Sequence, residues 1–456
     1  MNTDKIVRIA NAQGFWGDSM LGPLRLVEEG PLDYLTFDYL SEITMSIMQK
    51  QKMKDPKAGY ARDFVSMLGK ILPTCKAKGI KVIANSGGVN PRACLEAIEA
   101  VIQQAGLSGI TVGIVEGDDI LEEIDDLVAS GEAFTNLDNG EPLSTVRDRV
   151  TSANVYIGAR PIVEALEQGA DIIVTGRASD PSLVLAPLIY EFGWSMDDYD
   201  KMAAGTIMGH IVECGPQCTG GNYSGWQQVK DLARIGYPIV EASADGSFVV
   251  TKHEGTGGLV SVETVTSQLL YELGDPQNYL GPDCIADFTT IQIEQAGDDR
   301  VAISGIKGRP ATPTYKVSMS YANGYKILGT LCISGPDAVE KAHVLADMVW
   351  QRTAMHGYEI PEEQRFLELF GTNVLYKGLV PSPEQPVEIM MRIGARSEDA
   401  KTLNTMGTEL APLVTSGPSG VTGFAGGRPR ATEVVGYWPA LIDKQKVTTS
   451  VLVKEV

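Results

Sequence analysis

Short apolar runs alternate with amphipathic helical patterns throughout the first half of the chain. The runs are rich in Val and Ile, and they occur in IVRIA, DYLTFDYL, KVIANSGG, TVGIVEGDD, NVYIGA and DIIVTGRASD. Helical patterns such as ACLEAIEAVIQQAG and RPIVEALEQGA separate them. Strands of this kind, joined by helices, predict a mostly parallel sheet with helices on both faces. We therefore expect residues 1–232 to form an α/β domain, either doubly wound or part of a barrel.

The pattern changes from about Ile235 onwards. YPIVEASADGSFVV alternates like two strands around the Asp245-Gly246 turn signal, and DDRVAISGIKG, TYKVSMSYANGYKILGTLCISG and PVEIMMRIGAR indicate further antiparallel strands with two helices between them. Residues 233–456 are thus predicted to form an α+β domain with glycine-rich loops. The last loop, TSGPSGVTGFAGGRPR, carries Arg428 and Arg430, and it is either a mobile lid or a structured turn.

Small and polar residues follow the apolar runs of the first half. Because the carboxyl ends of parallel strands meet at one edge of a sheet, these residues are expected to surround one binding site. Any one of them is also compatible with a turn or a helix cap, as at Asp180-Pro181. The candidates from these strand ends are Asn11, Gln13, Asp18, Asp38, Asn85, Gly87, Gly88, Arg177 and Asp180.

A stretch of concentrated polar chemistry, GTIMGHIVECGPQCTGGNYS, covers residues 205–224. Helical spacing places His210, Glu213 and Cys214 on one face, and Gly215-Pro216 ends the helix. Cys218 follows, and the TGGN turn supplies Gly220, Gly221 and Asn222 as candidate substrate-binding residues. The alternative interpretation is that His210 caps the helix and that the cysteines are small buried hydrophobic residues. The H-x3-C-x3-C spacing is not a standard zinc pattern, so a metal is possible but not favoured.

A second polar stretch is KHEGTGG. It offers His253 as a further acid or base, and Lys252 and Gly257 as candidate substrate-binding residues. His343 lies in a helical pattern instead, and His356 follows that helix. The glycine amides near residues 87 and 220, together with Arg177, are the candidate donors to an oxyanion.

Composition and charge narrow the class of partner. The 456 residues carry a formal net charge of −20, which argues against binding to nucleic acid or to an anionic membrane. No apolar run reaches the roughly 18 residues of a membrane span, and the N-terminal residues lack a signal-peptide pattern, so we expect a cytoplasmic protein. Six irregularly spaced cysteines indicate reduced thiols. Neither GxGxxG after the first strand nor GxxxxGK[ST] occurs, so no nucleotide cofactor is predicted.

Several blocks resemble the signature of a known family. NAQGFWGDS, DYLTFDYLSE, KVIANSGGVNP, ANVYIGARPIVEAL, GADIIVTGRASDPSL, GHIVECGPQCTGGNY and VTKHEGTGGLVS are similar, in this order, to the acyclic terpene utilisation protein A (AtuA) family. The resemblance implies catabolism of branched acyl-CoA thioesters or related carboxylic acids, as in the degradation of citronellol- and geraniol-type terpenes. Coenzyme A would then be part of the substrate. Some relatives carry a further C-terminal domain of ferredoxin-like fold. Since this chain ends soon after ATEVVGYWPALI, the resemblance implies a small separate companion subunit.

Three functional hypotheses follow. The first is a homo-oligomeric lyase, hydratase or isomerase, in which His210 or His253 acts as acid or base with Glu213 or Asp180 as its partner. The second is a binding or scaffold subunit that is active only with its companion. The third is a thiol-dependent hydrolase or transferase that uses Cys214 or Cys218.

Overall fold

The computed structural model describes residues 5–376, 378–383, 385–423 and 426–456. The chain forms two compact units: the first unit contains the residues up to Ser320 together with Tyr437–Val456, and the second unit is Tyr321–Gly436. Neither boundary coincides with the predicted division between residues 232 and 233. In the described ranges, no helix combines the length and the apolar character that a membrane crossing requires.

The strands and helices of the described ranges are numbered in chain order. The strands are β1 (Ile6–Gln13), β2 (Tyr34–Phe37), β3 (Lys81–Ala84), β4 (Thr111–Glu116), β5 (Val150–Val155), β6 (Ile172–Thr175), β7 (Ile239–Ser243), β8 (Phe248–Thr251), β9 (Tyr279–Leu280), β10 (Cys284–Asp287), β11 (Gln292–Gly297), β12 (Arg300–Ser304), β13 (Lys307–Pro310), β14 (Thr314–Ser334), β15 (Arg365–Phe370), β16 (Glu388–Ser397), β17 (Val421–Gly423), β18 (Thr432–Asp443) and β19 (Ser450–Glu455). The α-helices are α1 (Leu21–Glu29), α2 (Glu42–Lys54), α3 (Arg62–Lys78), α4 (Pro91–Gln104), α5 (Ile124–Ala129), α6 (Arg160–Glu167), α7 (Ser182–Phe192), α8 (Tyr199–Val212), α9 (Val262–Leu269), α10 (Ala338–Met355), α11 (Ala400–Leu410) and α12 (Leu413–Ser416).

The first unit is built on a ten-stranded sheet with the order β11-β12-β8-β7-β1-β2-β3-β6-β4-β19. Its five central strands, which are β1, β2, β3, β6 and β4 in spatial order, are parallel. This confirms the predicted parallel sheet. Antiparallel strands flank them: β7 pairs with β1, and β19 pairs with β4. The hairpin predicted at Asp245-Gly246 exists as β7 and β8, but it extends this sheet.

Helices cover both faces of the sheet, as the alternation of strands and helices predicts. Strands β2 and β6 are buried along their whole length, which is the pattern of strands covered on two sides. Leu35 and Phe37 of β2 pack into a core with residues of α1, α3 and α4, such as Leu26, Phe64 and Ile98. Helices α6, α7 and α8 contribute no residues to this core. They pack against one another and against strands of the sheet such as β1, β4 and β7.

The fifth predicted strand, NVYIGA, is the part of the sheet prediction that needs correction. β5 lies outside the ten-stranded sheet and pairs with β14. The reason is that its backbone N–H groups form hydrogen bonds outside this sheet. Val155 N–H donates to Asp118 O at 2.7 Å, and Tyr156 N–H donates to Lys316 O at 2.9 Å. Ile157 then forms a parallel bridge with Ala178. Residue 156 therefore still arrives beside the end of β6.

The second unit has the predicted α+β character. Strands β15, β16, β14 and β17 form a sheet in this order by antiparallel pairing. Helices α10 and α11 contribute Leu345 and Leu403 to a core with Met391 of β16. In the last glycine-rich loop, Phe424 and Ala425 lie outside the described residues, so the lid prediction falls partly outside them. Arg428 and Arg430 are exposed.

Candidate functional site

Side chains from three neighbouring strand ends meet at the carboxyl edge of the parallel strands. Asp38 directly follows β2, Asn85 follows β3, and Arg177 lies two residues after β6. Asn85 Nδ2 donates to Asp38 Oδ1 at 2.5 Å, and its own Oδ1 accepts from Tyr39 N–H at 2.7 Å. This network fixes the orientation of the Asp38 carboxyl group. We use the name acid cluster for Asp38, Glu42, Asp180 and Glu213 around Arg177.

Arg177 is the centre of the acid cluster, and it is only 2% exposed. Its Nη1 donates to Leu40 O, and its Nη2 donates to Asp180 Oδ2 at 3.4 Å. The guanidinium carbon lies 4.2 Å from the ring centroid of Tyr156, which is the geometry of a cation–π contact. Burial lowers the pKa of Arg177, but the surrounding acids raise it more, so the group stays charged. Its Nε has no hydrogen-bond partner among the described residues.

Two carboxyl groups beside Arg177 have raised pKa values. Burial raises the pKa of Asp38 well above its usual range, and the nearby Asp180 raises it further, against the effect of Arg177. Burial also raises the pKa of Asp180 to about 7, with Arg177 opposing and Glu213 adding to the shift. A nearby negative charge makes the ionisation of a buried carboxyl more costly, so both groups hold a proton more tightly than an isolated aspartate does.

The Asp180 carboxyl is the accessible member of this pair, with a side chain 32% exposed. Its Oδ1 lies 3.0 Å from Arg177 Nη1 without forming a hydrogen bond, and this oxygen has no other hydrogen-bond partner in the described part of the chain. Burial at this position is not complete, so the pKa shift of Asp180 is partly screened by solvent. Asp180 is therefore the partly exposed carboxyl of the two, although its Oδ1 is itself buried.

Glu42, Tyr156 and Lys316 form the rim of the cluster. Tyr156 Oη donates to Glu42 Oε1 at 2.6 Å, and Lys316 Nζ lies 3.3 Å from the same oxygen. Burial raises the pKa of Glu42, but the Tyr156 hydrogen bond and the two cations lower it to about 2, so Glu42 is ionised. Lys316 also lies 4.7 Å from the Tyr156 ring centroid, and its side chain is 42% exposed. The rim thus offers a second cation to an anionic ligand.

His210 and Glu213 interact as their helical spacing predicts. His210 Nδ1 lies 3.1 Å from Glu213 Oε1, and its Nε2 lies 3.4 Å from Leu269 O. The ring is 1% exposed and packs edge-on against Tyr279 and Phe288. Burial lowers the pKa of His210, but Glu213 raises it more, and the net shift is upward. A histidine enclosed between two acceptors orients Glu213, whose Oε2 has no hydrogen-bond partner among the described residues.

The Asp118 carboxyl group holds the backbone at Arg177 in place by a hydrogen bond. Its Oδ2 accepts from Arg177 N–H at 2.8 Å and from Asn154 Nδ2 at 2.9 Å. A Cβ at Gly176 would lie 2.0 Å from Asp118 Oδ1, so only glycine permits this approach. Burial raises the pKa of Asp118 to about 7, although the hydrogen bond from Arg177 N–H opposes the shift.

An Asp118→Asn variant is expected to reduce the pH dependence of stability. A carboxyl whose folded pKa lies above its unfolded value binds protons in the folded state, so its contribution to stability is lost as pH rises from about 4 to about 7. Between pH 5 and pH 8, the free energy of unfolding of the variant should rise relative to that of the unchanged protein by about 1–3 kcal/mol. Urea unfolding at both pH values measures this difference, and an equal difference at both would contradict the shift.

Cys214 and Cys218 are unsuited to the role of thiolate nucleophile. Burial raises the pKa of Cys214 to about 12, and the nearby Glu213 adds to the shift. Cys218 is fully buried with its Sγ 4.0 Å from Gly215 O, and burial raises its pKa as well. A protein thiol that reacts at neutral pH needs a lowered pKa and access to its reagent. None of the six cysteines, all in the described part of the chain, is paired.

Alkylation tests this conclusion directly. At pH 7.5, iodoacetamide should modify Cys214 about 10²-fold more slowly than an ordinary thiol, because its thiolate fraction is lower and its greater basicity recovers only part of the loss. Cys218 should react only after unfolding in urea. Mass spectrometry of peptides at timed intervals gives both rates, and rapid modification of either cysteine in the folded protein would restore the thiol-dependent hypothesis.

Asn11, Gln13 and Asp18 support the site from one side. Asn11 Nδ2 donates to Val212 O at 3.0 Å and to Glu213 O at 2.7 Å, so it fixes the end of α8. Gln13 Nε2 donates to Asp18 O at 2.9 Å. The Asp18 carboxylate in turn accepts from Gly14 N–H at 3.0 Å. These contacts hold backbone in place beside the acid cluster.

The glycine turns use their N–H groups within the fold. Gly88 lies in a turn with a φ of +55°. Asn222 donates from its side chain to Gln217 Oε1 at 3.3 Å. The remaining predicted glycines donate their amides to backbone carbonyl oxygens, namely Gly87 to Thr175 at 3.0 Å, Gly220 to Gln217 at 3.4 Å, Gly221 to Pro216 at 2.9 Å and Gly257 to Arg234 at 2.8 Å. These four amides are therefore engaged, and Arg177 is the better donor to an oxyanion.

Lys252 and His253 lie away from the acid cluster. Lys252 Nζ forms an ion pair with Asp299 Oδ2 at 2.8 Å. His253 Nε2 lies 3.2 Å from Leu26 O near the end of α1, and burial lowers the pKa of His253. Two cavities of about 300 Å³ and about 590 Å³ border His253. The glycine end of this stretch lies beside the TGGN turn: a Cβ at Gly258 would lie 2.7 Å from Thr219 O, and Leu259 N–H donates to the same oxygen at 2.8 Å.

Within the described ranges, no group of three or more His, Cys, Asp or Glu side chains has a geometry that could hold a metal ion. In particular, His210, Cys214 and Cys218 do not converge on one point. His210 is engaged by Glu213 and Leu269 O instead.

Comparison with known proteins decides the family. The family model of the acyclic terpene utilisation family protein AtuA matches residues 7–453. The chain belongs to the AtuA family. No curated protein and no solved structure matches the chain. Membership of the AtuA family implies a role in acyclic terpene utilisation, and the matched residues include the entire acid cluster.

Sequence reasoning did not select Glu42, Tyr156 and Lys316 as site residues of this AtuA-family chain. Glu42 ends the DYLSE block, so the strand-end argument that found Asp38 extends to it. Tyr156 was within reach of the same argument, since it follows a predicted strand. For Lys316 there is no local signal, because it reaches Glu42 only through the pairing of distant strands.

Proposed function

We propose that this protein is a lyase, hydratase or isomerase that acts by general acid/base catalysis on a small branched carboxylate or its acyl-CoA thioester. The observation that carries the proposal is the pair of protonatable carboxyls, Asp38 and Asp180, beside the buried Arg177 at the carboxyl edge of a parallel sheet. An acid or base works best when its pKa lies near the working pH, and Asp180 meets this condition. The family's role in acyclic terpene utilisation supplies the substrate class.

Asp180 is the proposed proton carrier. In its ionised form it removes a proton from the carbon next to the substrate carbonyl, and the electron pair of the broken C–H bond moves to the carbonyl oxygen. Return of that proton to a different carbon gives isomerisation, whereas departure of a β-hydroxyl group as water gives elimination. The reverse of the elimination is hydration. None of these steps changes the oxidation state of the substrate as a whole.

Arg177 and Lys316 are the proposed anion binders. The negative charge that develops on the carbonyl oxygen is stabilised by a fixed donor in a site of low dielectric, and the Arg177 guanidinium, 3.0 Å from the Asp180 carboxyl, is the proposed donor. Lys316, at the exposed rim, is suited to the carboxylate or another anionic group of the substrate. Glu213, oriented by His210, is the second base. Cytoplasmic location, homo-oligomerisation and a small companion subunit remain parts of the same proposal.

Hydrogen exchange tests the proposal without knowledge of the product. The protein is incubated in D₂O with acyclic isoprenoid acids and with their coenzyme A thioesters, and deuterium at the carbon next to the carbonyl is followed by mass spectrometry. We expect catalysed incorporation into at least one substrate. Binding without incorporation, or turnover only after a companion subunit is added with all catalytic groups on that subunit, would replace the enzyme proposal by a binding-subunit role.

A further inference from the structure

A further cavity of the first unit lies outside the acid cluster and away from His253. It has a volume of about 360 Å³ and lies at the start of α6. Apolar and aromatic side chains line much of it, including Pro161, Tyr199 and Tyr315. The charged groups that line it are Arg160, Asp283 and Lys444. The proposed function does not use this cavity, whose lining includes part of the ANVYIGARPIVEAL block.

Lys444 is a cation without a carboxylate partner. Its Nζ donates to Pro282 O at 2.7 Å and lies 4.9 Å from the ring centroid of Tyr315. No Asp or Glu of the described residues lies within ion-pair distance of it. Burial lowers the pKa of Lys444, while the more distant Asp283 opposes the shift. A half-buried ammonium held by a carbonyl and a ring face is stabilised further by any anion that enters the cavity.

Asp283, the acidic group of the lining, is already engaged. Its two oxygens accept from Ala159 N–H at 3.0 and 3.1 Å, and its Oδ2 also accepts from Ser182 Oγ at 3.0 Å. The carboxyl therefore occupies the N-terminus of α6 and does not neutralise Lys444 directly. Burial raises the pKa of Asp283, while these donors oppose the shift.

Arg160 supplies a second cation at the mouth of the cavity. Its Nε donates to Glu164 Oε1 at 3.0 Å, but its side chain is 60% exposed and this pair lies on one helix surface. Exposed pairs of this kind stabilise a protein little, so Arg160 can leave Glu164 for a ligand at little cost. A guanidinium and an ammonium together are the usual partners of carboxylate and phosphate groups.

We propose that this cavity binds a small organic anion, in which a carboxylate or phosphate pairs with Lys444 and an apolar or aromatic body packs against the Pro and Tyr side chains. The cavity volume fits a body of one or two rings. Its lining residues Ile157 and Gly158 follow Tyr156 of the acid-cluster rim, so the site is next to the acid cluster along the chain. The binding proposal does not depend on the proposed reaction.

Isothermal titration calorimetry at pH 7.5 with two probes, AMP and benzoate, tests the proposal and separates phosphate from carboxylate. Three proteins are compared: the unchanged protein, Lys444→Met and the matched control Lys446→Met. Lys446 lies in the same short turn, but its Nζ is paired with Glu132 at 2.9 Å. We expect at least one probe to bind the unchanged protein, with affinity at least about 10-fold weaker in Lys444→Met and unchanged in Lys446→Met.

Two results would overturn the proposal. One is that neither probe binds at about 10 mM, which corresponds to an affinity too weak for a built site. The other is that Lys444→Met binds as tightly as the unchanged protein. If Lys444→Met does not fold, Ala311→Trp takes its place, because Ala311 lines the same cavity and the larger side chain fills it. That variant is expected to abolish binding, and retained affinity would count against the site.

Discussion

An Asp180→Asn variant is expected to lose a factor of about 10²–10⁴ in kcat/KM while it keeps its fold. The amide has the size of the carboxyl, but it neither gives nor takes a proton near neutral pH. Asp38, the other carboxyl beside Arg177 with a raised pKa, is only 7% exposed and is therefore poorly placed to replace Asp180. The rate is measured with the substrate that the deuterium-exchange assay identifies.

The control for this variant is Asp126→Asn. Asp126 lies exposed on α5, away from the strand ends, so the same chemical change should leave the rate within a factor of about two. Circular dichroism and urea unfolding verify that both variants are folded. If Asp180→Asn retained full activity, Asp180 would not be the proton carrier. The search for that group would then move to Glu213.

Replacing Arg177 by Met is expected to destabilise the protein by about 3–5 kcal/mol at pH 7, because it leaves buried acids without their cation. The change also removes the hydrogen bond to Leu40 O and the stacking on Tyr156. The free energy of unfolding in urea measures the loss. Arg160→Met is the matched control, since its exposed pair with Glu164 should contribute less than about 1 kcal/mol.

The loss in Arg177→Met should depend on pH in a defined direction. Without the guanidinium, the pKa values of Asp38 and Asp180 rise further, because the one group that lowers both by its positive charge is gone. Acids with raised folded pKa values contribute stability that is present at low pH and lost as pH rises. The destabilisation is therefore expected to be smaller at pH 5 than at pH 8. A loss independent of pH would mean that Arg177 stabilises by packing alone.

The carboxyl-edge argument and helical spacing together found most of the acid cluster from the sequence. Asp38 and Arg177 follow strands whose apolar runs are unmistakable, and parallel pairing then brings the two ends together. The contact between His210 and Glu213 is local, so the three-residue spacing is sufficient to predict it. In these cases, the neighbour of a residue is determined either by the spacing within one helix or by the alignment of carboxyl ends in one parallel sheet.

Contacts that depend on distant pairing were not predictable in this way. Lys316 reaches Glu42 because β14 pairs with β5, and a strand pattern does not reveal its partner strand. For the same reason, the pattern showed β7 and β8 as a hairpin but not that β7 adds to β1. The sequence of a glycine turn indicates that its backbone can adopt unusual φ angles. It does not indicate which acceptors its N–H groups bind, because these depend on tertiary contacts, as at Gly87.

His253 illustrates a related difficulty. The KHEGTGG stretch has the composition of a site, and two cavities do border it. Composition does not specify which neighbours each residue of a loop contacts. Here His253 packs against the end of α1, near Gly30, whereas Gly258 lies against Thr219.

A crystal structure with a bound, unreactive analogue of the branched acid tests the central claim most directly. We predict that the carboxylate or thioester oxygen of the analogue lies within hydrogen-bond distance of Arg177, about 2.7–3.2 Å, with the adjacent carbon facing Asp180. An analogue bound in the cavities beside His253, with the acid cluster unchanged, would contradict the account and transfer the catalytic role to the KHEGTGG loop.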